Sequence, residues 1–442
     1  MMNLLRPIPA PLRRLAIESA EVPDDLAAVT AVARDEECDP SRVGMTREGV
    51  DAIWCAVERI YATGMHPGIS MVLRRHGRIA LKRAIGHARG NGPGDFGERP
   101  VPMTPDTPVC LFSASKAMAA MTVHLLSEQK ALSLLDPVSH YVPAFGQNGK
   151  RDITIYQLLC HKAGIPTIPT RGLDVPELLL DPKAILELIY RTEPDRPGQH
   201  HAYHALTAGF VIADLVEKVS GESFRAYFRR HVSVPMGFDT LDFGARGRTL
   251  ARVARNYVTG FRFDAGADLY LKRAIGAPLR HAVEISNDPR YYRAVIPAGN
   301  GVGTADECSQ FFQCLLDGGR HGRRRIFQPL TVRKAIAEVG KPELDRSLML
   351  PLRYSAGMML GASPFGMYGP DTARAYGHLG FANIFGWADP ERATSVALLT
   401  TGKLLIGLHA PWLVALLASL SRHCPKLSVA EQDAALATAG MV

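Results

Sequence analysis

An α+β architecture, one antiparallel sheet flanked by helices and carrying a large helical insertion, is predicted by three features of this 442-residue sequence. A helix followed at once by a hairpin lies near the start. The middle of the chain shows helical patterns and almost no convincing strand. Strand patterns then return late, so both ends of the chain contribute to one sheet.

The first element is an amphipathic helix over Thr46–Tyr61, where Val50, Ile53, Trp54, Val57, Ile60 and Tyr61 recur at helical spacing. Gly64 and Pro67-Gly68 stop it. Ile69–Leu73 and Ile79–Ile85 read as strands joined by a turn over Arg74–Arg78. Helices are predicted over Lys116–Leu126, Thr154–Cys160, Pro176–Tyr190 and Thr207–Val219. Ala375–Phe381, Ile384–Ala388 and Thr394–Thr400 are the late strands, the last two separated by Asp389-Pro390-Glu391-Arg392. Residues 1–45 are expected to form an arm, 46–110 and 290–425 the sheet domain, 111–289 a mainly helical domain and 426–442 a tail. No internal repeat is visible.

Bulk composition narrows the functional classes. The content is 47% hydrophobic and 21% charged, ordinary for a chain with a real core. A formal charge of +8 comes from scattered arginines. The densest run, Arg323-Arg324-Arg325, has no interleaved aromatics and reads as a solvated turn, so nucleic acid is not an expected partner. The 7 cysteines are odd in number and form no CxxC pair, which points to a reducing compartment. The N-terminus has prolines and arginines where a signal peptide needs an apolar run, and a cytoplasmic location is expected. Leu404–Leu420 is apolar but short for a span and carries His409 and Pro411. A core helix starting near Pro411 is favoured there over membrane-surface contact.

The chemistry concentrates around Phe112-Ser113-Ala114-Ser115-Lys116. The helix that comes next is apolar nearly all round and must be buried. Spacing i, i+3 brings the Ser113 hydroxyl and the Lys116 amine onto one face. Burial disfavours the charged amine, so Lys116 becomes able to accept a serine proton. Backbone N–H groups at a helix start also suit a developing oxyanion. Ser127-Glu128-Gln129-Lys130 repeats the spacing, but among charged residues at a helix end, and reads as surface. Taken alone, Ser113 and Lys116 fit a capping serine with a snorkelling lysine as well as they fit a nucleophile and its base.

The Phe112–Lys116 segment resembles the active-site signature of class C β-lactamases, DD-peptidases and family VIII carboxylesterases. The similarity runs in order over roughly residues 50–400. Leu134-Leu135-Asp136-Pro137-Val138 resembles the segment after the catalytic helix. Ile153–Pro166 resembles the family's "IT…LL.H.SG.P" stretch, with Lys162-Ala163 as a departure. The resemblance implies that Tyr203, in Ala202-Tyr203-His204-Ala205, shuttles protons, and that the nearby Lys116 ammonium lowers its pKa. It places Ala205 where lactamases carry an asparagine that binds an acylamino group. Tyr376-Gly377-His378-Leu379-Gly380-Phe381 resembles the family's Lys-Thr-Gly strand in its His-x-Gly form. By this likeness Gly380 admits the substrate, the Phe381 N–H joins that of Ser113 as oxyanion donor, and His378 lines the site as a neutral or weakly basic donor. The Pro297–Gly303 loop resembles one bordering the family's active site and is not embedded in a dinucleotide-binding unit.

His200, His201 and His204 lack a neighbouring acidic or cysteine ligand, so metal is not expected, nor any organic cofactor. The implied activity is hydrolysis of small-molecule carboxylic esters through an acyl-Ser113 intermediate. A β-lactamase or D-amino-acid peptidase, an acyltransferase and a non-catalytic binding protein of the same fold are the alternatives.

Overall fold

The computed structural model of the chain describes residues 17–168, 175–262, 265–381, 383–405 and 407–441. Its main sheet has ten strands: β1 (Thr30–Val32), β2 (Gly68–Arg75), β3 (Arg78–Arg89), β4 (Val101–Pro102), β5 (Glu343–Leu344), β6 (Pro351–Tyr354), β7 (Met359–Leu360), β8 (Tyr376–Gly380), β9 (Ile384–Asp389) and β10 (Thr394–Thr400). The order is β5-β6-β7-β8-β9-β10-β2-β3-β1, with β4 paired to β3. Late β10 lies antiparallel to early β2, from Thr394 opposite Arg75 to Thr400 opposite Ile69. That one seam joins the two ends of the chain, as the sequence predicts.

Five helices frame the sheet and the cleft beside it: α1 (Arg47–Ala62), α2 (Ser115–Glu128), α3 (Thr207–Ser220), α4 (Ala305–Leu316) and α5 (Ala410–His423). The Thr46 hydroxyl caps α1 by accepting from the Gly49 N–H at 3.0 Å. Helices α1 and α5 cover one face of the sheet; α4 and α2 lie on the other. The alternation in β10 shows why both faces must be covered. Val396 and Leu398 join the core beneath α1, while Ala397 and Leu399 join the core around α2 and α4.

The differences from expectation are local. The predicted five-residue turn between β2 and β3 is only His76-Gly77, both with positive φ (51° and 74°), because a two-residue primed turn matches strand twist. Thr30–Val32, within the expected arm, pairs with Arg83–Ile85 as an edge strand. Residues 1–16 of that arm lie outside the described residues. The expected helix over Pro176–Tyr190 is two, Val175–Leu178 and Pro182–Arg191, because the Asp181 carboxylate caps a new start at Pro182. The expected tail contains a helix, Val429–Ala439, begun by a Ser428/Glu431 capping box. Arg324–Arg325 form an exposed hairpin strand. Helix α5 buries Leu416, Leu417 and Leu420 against the α1 core, and no helix among the described residues is long and apolar enough to cross a membrane.

Candidate active site

Ser113 sits in a short 3₁₀ turn, Phe112–Ala114, that leads into α2. Phe112 has φ of +47°, a left-handed conformation unfavourable for an aromatic residue. What holds it there is Ser115. Its fully buried hydroxyl donates to the Phe112 carbonyl and accepts from the Gly301 N–H at 3.0 Å. A side chain at Gly301 would meet Ser115 Oγ at 2.5 Å, so the glycine allows this close approach. Ser115 is thereby a brace. Ser113, half-buried, is left facing a cleft.

Lys116 lies one turn into α2, buried, with Nζ 3.0 Å from Ser113 Oγ. The same nitrogen is 2.7 Å from the Ala205 carbonyl and 2.9 Å from the Ala298 carbonyl. Among the described residues no carboxylate is a hydrogen-bond partner of this amine. Burial therefore drives its pKa well below the usual lysine range. The Ala298 contact gives the glycine-rich loop its place: Gly301–Gly303 pairs with Val109–Cys110 just before the elbow.

Tyr203 packs over this lysine, with Nζ 4.8 Å from its ring centre, and the Ser113 side chain is the neighbour that pulls its phenol pKa down. The expectation that Lys116 lowers its pKa is not met. Burial raises the phenol pKa, and what opposes it is the Ser113 side chain rather than Lys116, whose own pKa burial holds well below the usual lysine range. Tyr203 holds its proton.

At the far side of the cleft, β8 ends on Gly380-Phe381. A Cβ at Gly380 would strike the Leu111 carbonyl oxygen at 2.1 Å, so glycine lets this strand end press against the elbow. The Phe112 and Phe381 rings stack at 5.2 Å. His378 departs from expectation. It is only 1% exposed and lies behind Tyr203, ring centres 6.0 Å apart, rather than lining the cleft. Its Nδ1–H donates to the Leu379 carbonyl at 2.7 Å. Burial, reinforced by Lys116, depresses its pKa to about 3. Nε2 is therefore a bare acceptor, with no hydrogen-bond partner among the described residues, and not the donor expected.

The cleft encloses about 630 Å³ including its open mouth. Leu179, Leu206, Ala277, Ala282 and Ile285 give it an apolar wall beside Ser113, Ala205 and Phe381. His281, on the exposed rim, is the one histidine among the described residues that line it.

Two further residues contribute: His161, the histidine of the Ile153–Pro166 stretch, and Asp345, which carries no sequence signal for a role here. The His161 ring lies tilted against that of Tyr203, centres 4.7 Å apart, its Nδ1 accepting from the His204 N–H at 3.2 Å. Asp345, 142 residues beyond Tyr203, accepts from the Tyr203 N–H at 3.2 Å. The departure at Lys162 also finds a partner: its amine lies 3.3 Å from Glu343, which accepts the His201 N–H at 2.9 Å. The histidine cluster itself is bound inward. His201 Nδ1–H donates to the Cys160 carbonyl at 2.7 Å, and His204 Nε2 accepts from the Ile165 N–H at 3.1 Å. Among the described residues no group of three or more His, Cys, Asp or Glu side chains is arranged to hold a metal ion.

A serine–lysine–tyrosine cluster at the start of a helix, against the end of an inner strand of an antiparallel sheet, fits a β-lactamase-fold serine hydrolase. The Beta-lactamase family model matches residues 57–418, and the chain belongs to that family. Among curated proteins it is similar to "Esterase/beta-lactamase LipL" of Mycobacterium tuberculosis (strain ATCC 25618 / H37Rv), 29% identical over 322 residues, 68% of this chain and 70% of that one. A penicillin-binding protein homologue from Caulobacter crescentus superposes with TM-score 0.72 at 24% identity, covering 85% of this chain and 97% of the other. A family VIII carboxylesterase does so with TM-score 0.71 at 23% identity, covering 85% and 98%.

Proposed function

We propose that the chain hydrolyses carboxylic esters with short or medium apolar acyl groups through an acyl-Ser113 intermediate. The observation that carries this reading is the valence of Lys116. A neutral amine has two N–H donors and one lone pair, and two carbonyls, of Ala205 and Ala298, take the donors. The lone pair that remains is directed at the Ser113 hydroxyl.

The steps then balance without a cofactor. Ser113 passes its proton to Lys116 as Oγ bonds to the ester carbonyl carbon. The oxyanion so formed is received by the backbone N–H groups of Ser113 and Phe381. As the C–O bond to the leaving group breaks, Tyr203 protonates the departing alkoxide and recovers a proton from Lys116. Water then attacks the acyl-enzyme by the reverse sequence, releasing the acid and restoring Ser113.

Esters are favoured over β-lactams by the walls of the cleft. Ala205 contributes a methyl group and no amide. Among the described residues no lysine or arginine lines the cleft to receive a substrate carboxylate, and the free nitrogen of His378 has no proton to offer one. The name of the mycobacterial relative couples esterase with β-lactamase, so the two activities need separating by measurement. Intact-mass spectrometry after fluorophosphonate treatment, with peptide mapping and an ester panel, tests the reading. One adduct on Ser113 and turnover of simple esters are expected; an adduct on Ser115 or Ser127 with Ser113 untouched overturns it.

A further inference from the structure

We propose that Asp345 is a positioning residue for proton delivery: it fixes the backbone of Tyr203 so that the phenol meets the leaving-group oxygen. This rests on the role given to Tyr203 in ester hydrolysis.

Asp345 is a fully buried carboxylate in the loop after β5, far in sequence from every motif of the site. Among the described residues no lysine or arginine is a hydrogen-bond partner of this carboxylate. Instead Oδ1 accepts from three backbone N–H groups, those of Tyr203 at 3.2 Å, Ser347 at 2.9 Å and Leu348 at 2.8 Å. Oδ2 accepts from the Tyr354 hydroxyl at 3.0 Å. Two of these bonds close the 345–348 turn locally, as an Asx motif does. The bond to Tyr203 does not; it reaches across to the segment that carries the proton donor. It is also one stitch in a row. The His201 N–H donates to Glu343, and the Arg346 N–H donates to the His201 carbonyl at 3.0 Å. On the outer side the Tyr270 hydroxyl donates to the Leu348 carbonyl at 3.0 Å, tying the turn to the 265–275 helix.

The need for such a clamp arises from the segment itself. Residues 201–206 form no helix or strand, so no regular ladder holds Tyr203 in place. A proton donor displaced by about 1 Å loses much of its benefit. A buried carboxylate without a cation is costly unless its oxygens are well satisfied, and four donors do that here.

Leaving-group dependence separates positioning from a merely structural role. A p-nitrophenolate leaves without a proton, whereas an alkoxide does not. Asp345→Ser retains a short acceptor able to cap Ser347 and Leu348 but unable to reach the Tyr203 N–H. Asp345→Asn retains the oxygen. For Asp345→Ser, kcat/KM on an ethyl ester should fall at least about 30-fold, with a p-nitrophenyl ester of the same acid changing less than about 3-fold. Fluorophosphonate labelling of Ser113, which needs no leaving-group proton, should keep its rate, and Asp345→Asn should restore the ethyl ester to within about 5-fold of the parent. Equal losses on both esters, no loss on the ethyl ester, no rescue by asparagine, or loss of labelling each overturn the proposal. Tyr203→Phe is the control for the underlying reading. If it shows the selective alkyl-ester defect and Asp345→Ser does not, only the positioning role falls. If Tyr203→Phe lacks the defect, the reading of Tyr203 falls first.

Discussion

Helix α2 carries the same Ser-x-x-Lys spacing at both of its ends, and the two copies have opposite fates. At the start, Ser113 and Lys116 meet at 3.0 Å beneath Tyr203, and burial drives the lysine pKa well below its usual range. At the end, Ser127 and Lys130 belong to a helix stop. The Lys130 N–H donates to the Ser127 carbonyl at 3.1 Å and the Ala131 N–H to the Leu126 carbonyl at 3.0 Å, with Lys130 at φ of +60° and its side chain exposed. Spacing alone gives proximity. Reactivity needs desolvation, acceptors for the amine protons and a second proton carrier.

The largest effect should come from breaking the first copy. Ser113→Ala and Lys116→Ala should each lower ester kcat by about 10⁴-fold or more, while Ser127→Ala leaves it within about 2-fold. Steady-state assays on a p-nitrophenyl ester decide this, and a comparable loss in Ser127→Ala would erase the distinction. Tyr203→Phe should cost about 10²–10⁴-fold on alkyl esters. Combined with Lys116→Ala, its effect should be far from additive, because both act on the same proton.

That contrast also marks what the sequence reveals. The late strands, the hairpin and α1 are legible because apolar periodicity and glycine or proline stops are local signals. The Ser113–Lys116 pair shows as a candidate in the same local way, by three residues of spacing and an apolar helix, but it is the resemblance of the ordered motifs that sets it apart from a capping serine. Helix α4 escapes the periodicity reading although Thr304 and Glu307 form a capping box, a signal present in the chain. Asp345 carries none, since its partner at Tyr203 is remote and an aspartate in a loop looks like any turn residue. The proton on His378 is equally hidden. Which nitrogen carries it is settled by the Leu379 carbonyl, a backbone atom whose direction only the fold determines.

Selectivity sharpens the comparison at the level of the substrate. Simple p-nitrophenyl esters should exceed nitrocefin in kcat/KM by at least about 100-fold, roughly 2.7 kcal/mol of transition-state preference. Equal values would return the chain to the lactamase reading.

A smaller effect is expected on stability as pH changes. The charged forms of His66, His124, His161, His201, His204, His378 and His409 are all disfavoured by burial, with His204 and His378 held at about 3 and His124 and His409 at about 4. An unfolded histidine takes up its proton near pH ~6.5. Below that, the unfolded chain binds protons that the folded chain refuses, so stability falls as pH drops from about 6.5 towards 4. Lys116 acts in the same direction, since its folded pKa is also depressed. Thermal melts should move down between pH 7 and pH 5. A flat profile would mean that these rings are solvated in the folded protein.

The smallest effect belongs to the second copy and comes from its backbone. Lys130 occupies the position after the α2 cap where glycine is the usual residue, because a left-handed conformation strains any side chain with a Cβ. Its ammonium is exposed. Replacing it by glycine removes the strain, while the greater freedom of glycine in the unfolded chain offsets part of the gain. Lys130→Gly should therefore stabilise the protein by about 0.5 kcal/mol, measured as a higher denaturant midpoint, with ester kcat/KM unchanged. The same change at Lys116 would abolish turnover. A loss of activity in Lys130→Gly would show that the far end of α2 communicates with the elbow, and the two serine–lysine pairs would then have to be read as one device.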